Sequence, residues 1–348
     1  MTVDVLDPFA AARDPALPTI ALALDAKEAQ RQLGRRRLPR LTGEEGFARV
    51  RAIRVTRHKP GRRCVIEYDL EIERPEAPTE HVTLVGKVRV ARFGLAGYRL
   101  LSAFWDAGFD SGSADGISVP EPIGAVAKFR MWLQRKVTGA RATDLLAGPD
   151  GVRIARRIAE AAHKIHRAGV PVAERHAMAD ELRILRECLA SVGRVEPSRA
   201  GRIDSLLAAC ERLAMQMRPA GTVGIHRDFY ADQVIVDGAR LHLLDFDLYC
   251  EGEAALDLGN FIGHITEQSL RELGRPDALA DREGALEDRF VELAGESVRP
   301  AVRTYATLTL ARHIYLSTTF PQRRPFTGAL LELCEDRLAA ARLTVGTR

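Results

Sequence analysis

From residue 151 onward the chain reads as a series of amphipathic helices, interrupted once by a strand-rich island from Thr222 to Leu248. That island constrains the fold more than any other stretch. Asp228 sits in a polar loop between apolar stretches, and Gln233 opens the apolar triplet Val234–Val236. Asp237-Gly238 is a strong hairpin-turn signal, and Leu241–Leu244 is the returning strand. Asp245 ends that strand, twelve residues after Gln233. A hairpin of this length returns the end of its second strand beside the loop that precedes its first. Asp228, Gln233 and Asp245 can therefore converge on one point.

The flanking sequence assigns this island to the second of two regions. Residues 1–44 form a mixed N-terminal extension, with a helix over Leu17–Leu33. Val50–Thr56, Cys64–Ile72 and Val82–Val90 are rich in strand formers and separated by short Pro- and Gly-containing turns. They read as three antiparallel strands. Gly97–Ala107 has helical spacing, Ile117–Pro122 is extended, and Val126–Val137 reads as a hairpin or strand pair. Helices are predicted over 151–168, 176–192, 198–217, 257–272, 298–318 and 325–342. The division is 45–137 for a small sheet-rich lobe and 138–348 for a larger helical lobe. There is no internal repeat.

Composition excludes several classes. Hydrophobic residues make up 46% of the 348 and charged residues 28%, which supplies ample core. The net charge of +4 is dispersed, with short basic bursts only at Arg35–Arg37 and Arg62–Arg63, so these read as solvated surface and no nucleic acid is expected. None of the five cysteines lies in a C-x-x-C pair, which argues against a disulfide framework or a zinc site. The start MTVDVLDPF has no basic segment followed by an apolar one, and no apolar run approaches the roughly 18 residues of a membrane span. A cytoplasmic protein with no membrane association is the expectation.

The convergent trio has the chemistry of phosphoryl transfer. One carboxylate orients an attacking hydroxyl and accepts its proton; a second, with an amide oxygen, holds magnesium against the phosphates. His226-Arg-Asp228 with an amide five residues on matches the kinase loop H-R-D-x-x-x-x-N, with Gln233 in place of Asn. Asp245-Phe-Asp247 stands in the place of D-F-G. On these residues, and on the acidic helix start that follows at Asp257, the chain resembles the aminoglycoside phosphotransferase and choline kinase family, related to protein kinases. The resemblance covers about residues 45–320, and its specific part is 226–261. It implies an α+β, two-lobed protein-kinase-like fold with a small antiparallel-sheet N-lobe that binds nucleotide. No A-P-E segment is present, and the short interval between Asp245 and the helix at Asp257 leaves no room for a protein-kinase activation loop.

The resemblance implies roles residue by residue. Asp228 would be the base, Asp245 the main Mg2+ ligand and Gln233 the second. Gln is one methylene longer than Asn but keeps the carbonyl donor. Lys87, on the third strand, would neutralise the α and β phosphates of ATP, with Arg89 on the same face as the runner-up. No Glu occurs over 94–109 to pair with Lys87; Asp106 is the only acid there. The turn Lys59–Arg63, with Gly61 and Arg62, occupies the place of the phosphate-covering loop, and backbone groups near Leu133 to Arg135 the place of the adenine hinge. Asp247 could touch metal or substrate, or cap a turn. His226 and Arg227 read as structural. Asp257 reads as a brace for the loop or a helix N-cap. His163 and His166 read as packing and surface residues, because no carboxylate completes an H-E-x-x-H pattern.

The leading reading is an ATP-dependent kinase for a hydroxyl of a small molecule, with Tyr230, Asp232, Tyr249, Glu251, Glu253, His264 and Glu267 as candidate substrate contacts. A slightly basic chain is not what a polycationic acceptor calls for. Its rivals are a catalytically inactive nucleotide-binding module and a protein kinase. P-loop, dinucleotide and G-x-S-x-G hydrolase signatures are absent. The acceptor, the choice of ATP or GTP and the oligomeric state are not legible.

Overall fold

The computed structural model describes residues 3–34, 38–43, 45–90, 95–172, 174–218 and 221–345; the basic run Arg35–Arg37 lies outside them. The chain divides between Thr138 and Gly139 into two compact units.

The first unit opens with β1 (Asp4–Leu6), α1 (Ile20–Leu24), α2 (Ala26–Leu33) and α3 (Pro39–Thr42). Then come β2 (Phe47–Lys59), β3 (Arg63–Glu73), β4 (Glu80–Arg89), α4 (Ala96–Phe104), β5 (Ile117–Ser118), β6 (Pro122–Val126) and β7 (Met131–Arg135). Its sheet runs β1-β2-β3-β4-β7-β6. All neighbours are antiparallel except β1, which pairs in parallel with β2. The alternation read in the sequence decides which face is buried: Val82, Leu84 and Val88 of β4 join the core, while Lys87 and Arg89 stand on the other face.

Residues 1–44, set apart in the sequence reading, contribute β1 to this sheet and Leu17, Ile20, Leu33 and Leu41 to its core. The single helix expected over Leu17–Leu33 is two. Asp25 breaks it and caps the second half, its Oδ1 accepting from the Glu28 N–H at 2.7 Å. The hairpin expected within Val126–Val137 begins earlier, with β6 pairing against β7. Helix α4 ends in a single π-type turn, Trp105–Phe109, in which Gly108 takes φ +88°.

The second unit holds β8 (Ala140–Arg141), α5 (Ala142–Leu145), α6 (Gly151–Arg167), α7 (Met178–Val195), α8 (Ala200–Met215), β9 (Thr222–Ile225), β10 (Val234–Asp237), β11 (Arg240–Leu243) and β12 (Cys250–Glu253). It closes with α9 (Ala254–Leu273), α10 (Ala280–Ala294), α11 (Arg299–Thr319) and α12 (Thr327–Val345). The hairpin β10–β11 turns at Gly238, φ +58°, with Asp237 opposite Arg240. Helix α10 is absent from the sequence reading. It buries only Leu286, Phe290 and Val291 and is charged elsewhere, too sparse an apolar stripe to stand out.

Helices α9 and α11 pack closely because α9 carries glycine where they meet. A Cβ at Gly259 would lie 2.4 Å from the Tyr305 Cβ, and one at Gly263 would lie 2.7 Å from Thr309 Cγ2. The residues that follow these glycines, Asn260 and His264, are thereby brought to Arg312 and His313. Among the described residues no helix is long and apolar enough to cross a membrane.

Candidate active site

The loop between β9 and β10 is built on buried hydrogen bonds. Asp257, fully buried in the first turn of α9, accepts from the backbone N–H of His226 at 2.9 Å and of Arg227 at 2.7 Å. The N-cap of α9 is Glu253, so Asp257 does not fill the capping place that was one of its two expected roles. Its carboxylate is spent on the loop. It also meets His166 Nε2 at 2.9 Å, so that histidine, buried and packed edge-on against Phe290, braces the loop carboxylate as well. Arg227 is held at φ +69°, a conformation that costs a non-glycine residue about 1–3 kcal/mol and persists only where its surroundings enforce it.

His226 ties this loop to the hairpin. Its ring is fully buried between Phe229 and Phe246, and its Nε2 donates to the Leu244 carbonyl at 2.8 Å. The Leu244 N–H in turn donates to the Gln233 carbonyl at 2.8 Å. Asp228, Gln233 and Asp245 are thus gathered by a continuous set of backbone and ring contacts. Asp245 follows directly at φ +59°, a second left-handed residue in the same small region.

Burial raises the Asp228 carboxyl above the ordinary Asp value. The Asp245 carboxylate adds to the rise, while His226, Arg312 and Arg227 oppose it. A carboxylate held this way accepts a proton more readily than a solvated one. Arg312 comes from α11 and donates to Asn260 Oδ1 at 2.7 Å, while Asn260 Nδ2 donates to the Phe229 carbonyl at 2.9 Å. Neither residue was singled out from sequence; no local motif surrounds them.

The donor set fits a hard divalent cation. It comprises carboxylate and amide oxygens with no thiolate among them. The Gln233 side chain is nine-tenths buried and supplies the amide oxygen of this set. Among the described residues no group of three or more His, Cys, Asp or Glu is arranged to hold a metal by itself. Magnesium sites commonly take one or two carboxylates and complete their shell with phosphate oxygens and water.

Of the remaining candidates in this unit, Asp232 accepts from Thr143 Oγ1 at 2.6 Å and faces Arg141 at 3.6 Å, which ties the loop to the β8 region. Tyr230 stacks on His264, with ring centroids 4.6 Å apart. Asp247 is exposed in a 3-10 turn. The Tyr249 hydroxyl donates to the Val170 carbonyl, Glu251 accepts from Thr222, and Glu267 pairs with Arg271.

In the first unit, Lys87 lies opposite Trp132 in the β4–β7 register, its Nζ 5.0 Å from the centroid of the Trp132 ring. Gly97 of α4 makes room for that ring: a Cβ there would come within 3.1 Å of Trp132 Nε1. In the turn Lys59–Arg63, Gly61 takes φ +66° and gives its N–H to Asp14 Oδ2 at 2.8 Å. Asp14 also meets His58 at 2.8 Å, and Arg62 is exposed. The hinge expectation fares differently. Leu133 is buried in the core of an interior strand, paired with Gly86 on one side and Gly124 on the other. Arg135 donates its N–H to the Glu121 carbonyl and its guanidinium to Glu121 and Glu80. These groups are bonded within the sheet and to the Glu121 backbone beside it.

The model of the phosphotransferase enzyme family matches residues 95–293, more than half of the chain. The chain belongs to this family. Solved structures agree in fold. A spectinomycin phosphotransferase in complex with ADP and spectinomycin is 11% identical at a TM-score of 0.52, covering 84% of this chain and 93% of that one. A thermostable mutant of an aminoglycoside phosphotransferase, with AMP-PNP and hygromycin B, gives 13% and 0.53, covering 84% and 94%. A glucosamine kinase with glucosamine, ADP and inorganic phosphate gives 15% and 0.54, covering 77% and 80%. No curated protein matches the sequence. This phosphotransferase therefore shares its fold with small-molecule kinases, at identities too low to carry over an acceptor.

Proposed function

We propose that the protein transfers the γ-phosphoryl group of ATP to a hydroxyl of a small molecule, with Asp228 as the base. The observation that supports this most is the Asp228 carboxyl itself. It is raised by burial and by Asp245, on a loop held by Asp257 in a strained backbone conformation. Asp228 orients the acceptor hydroxyl and takes its proton as the acceptor oxygen bonds to the γ-phosphorus. The bond from that phosphorus to the bridging oxygen breaks, and ADP leaves. Asp245 and Gln233 would hold Mg2+, which when bound offsets the negative charge of the phosphates. Lys87, kept in place over Trp132, and the Gly61-Arg62 turn would hold the triphosphate. ATP as donor is supported by the ADP and AMP-PNP named with the structurally similar proteins.

The test is Mg2+-dependent ATP consumption by the purified chain against a panel of sugars, amino sugars, amino alcohols, hydroxy acids and sugar phosphates. Acceptor-dependent turnover that Asp228→Asn abolishes, with nucleotide binding retained, is the expected result. Turnover that survives the substitution would remove Asp228 from the role of base. Nucleotide binding without transfer to any acceptor would favour an inactive nucleotide-binding module instead.

A further inference from the structure

Beside Asp228 the second unit carries a group of side chains that the proposed chemistry leaves unused. Tyr230 stacks on His264 at 4.6 Å with the rings 21° apart, and His264 meets the edge of His313 at 4.4 Å and 82°. His313 is 1% exposed, yet neither of its ring nitrogens has a hydrogen-bond partner. An imidazole desolvated on both nitrogens is costly in a finished core. It leaves an unpartnered polar ring directly beside His264.

The charges around these rings are guanidiniums. Burial first, then Arg312, Arg323 and Arg271, hold His264 down to about 3, and the same arginines act on His313. Both rings are therefore neutral near pH 7, and the positive charge resides on the arginines. Arg271 is well compensated, at 2.9 Å from both Glu267 and Glu272. Arg323 is not. It reaches the same Glu267 oxygen only at 3.6 Å, lies over Phe320 at 5.6 Å, and donates no side-chain hydrogen bond to a described residue. Arg312 spends one nitrogen on Asn260 and approaches Glu181 only at 3.5 Å. Two half-buried arginines thus keep fork-shaped donor capacity around His264 and His313, and Arg312 also acts on the Asp228 carboxylate. Guanidinium forks suit carboxylate and phosphate.

The nearby acids tell the same story in reverse. Asp232 is taken by Thr143, Glu251 by Thr222 and Glu267 by the arginines, while burial raises the carboxyl of Glu253 toward its neutral form. Asp232 and Glu267 already face arginines, so a polycationic acceptor would have to compete with those guanidiniums for them.

We infer that the acceptor is an anionic alcohol, a small hydroxylated molecule whose carboxylate or phosphate is bound by Arg312 and Arg323 against the Tyr230–His264–His313 wall. This rests on the phosphotransfer reading for the position of the reacting hydroxyl, but the anion site is testable without turnover.

The experiment follows the imidazole signals of His264 and His313 by NMR in the full chain with ADP and Mg2+, titrating gluconate, glucose 6-phosphate, glucose and glucosamine in turn. The two anions are expected to shift both signals with an affinity at least about ten-fold above glucose and glucosamine, and Arg323→Gln is expected to erase that difference. Gluconate against glucose 6-phosphate distinguishes a carboxylate from a phosphate site. Tighter binding of glucosamine, or no shift with either anion, would overturn the inference. Turnover of the same four compounds, with Asp228→Asn as control, separates the two readings. Phosphorylation of glucosamine alone would keep the kinase and discard the anion site. Anion binding at the histidines without turnover of any kind would keep the site and count against the kinase.

Discussion

The two units of this phosphotransferase treat the kinase pattern differently. In the helical unit, Asp228, Asp245 and the brace Asp257 stand at the positions the pattern requires, and an amide survives at Gln233. In the sheet unit the lysine remains, but what holds it has changed. No Glu is present over 94–109, and Lys87 sits over the face of Trp132 instead. The turn that would cover phosphates has one glycine, fixed by Asp14 from the N-terminal segment. Taking a proton or binding a metal needs a particular atom at a particular point, so those residue types are hard to replace. Holding an ammonium or stiffening a turn needs only position, which several contacts can supply.

Substitutions test that division. The largest effect is expected at Asp228→Asn. Removing a general base costs about 10²–10⁴ in kcat, while ATP affinity and thermal stability should be preserved, since the change removes a charge that burial disfavours. A substitution in the sheet unit that lowered kcat as far, with ATP saturating, would break the comparison.

Asp257→Ala comes next, and it acts on folding as well as on rate. It strands two buried N–H groups and the His166 ring, and frees Arg227 from its left-handed conformation. About 3 kcal/mol of stability should be lost, with a fall in kcat greater than any rise in KM. Asp257→Asn keeps acceptor capacity for one of the N–H groups and should recover part of both. A change in ATP affinity alone would mean that the loop stands without its brace.

How much of this was legible depended on the distance along the chain over which each contact is specified. The Asp228–Gln233–Asp245 convergence follows from hairpin arithmetic, since Asp237-Gly238 fixes the turn and the spacing does the rest. The strands β2 to β4 were legible from alternation alone. Trp132 was not, because its meeting with Lys87 depends on the register between β4 and a strand that is not its neighbour in sequence. Arg312 and His313 were beyond reach for a similar reason. They come to Asn260 and His264 only because Gly259 and Gly263 let two helices approach, and a glycine within a helix pattern does not announce its partner. The fate of Leu133 was hidden too, since only the strand order reveals that it lies inside the sheet.

Trp132→Leu sharpens the account of the sheet unit. It removes the ring face under Lys87, a contact worth about 1 kcal/mol, so KM for ATP should rise roughly five-fold with kcat at saturation little changed. Trp132→Phe should restore part of the loss. An effect equal to that of Lys87→Ala would show that the ring is the sole support of the lysine, and the sheet unit would then be as exacting as the helical one.

The smallest effect is expected at Asp14→Asn, and its pH dependence identifies its cause. The Gly61 N–H first, and His58 second, hold the Asp14 carboxyl below the ordinary Asp value. A carboxylate depressed in the folded state stabilises fully above its unfolded pKa and loses that contribution as pH falls through the folded one. The Tm gap between wild type and Asp14→Asn should therefore be constant from pH 7 to about 5 and close only below about 3.9, the ordinary Asp value. A gap that stayed open well below that value would show that the turn is not held through the charge of the Asp14 carboxylate.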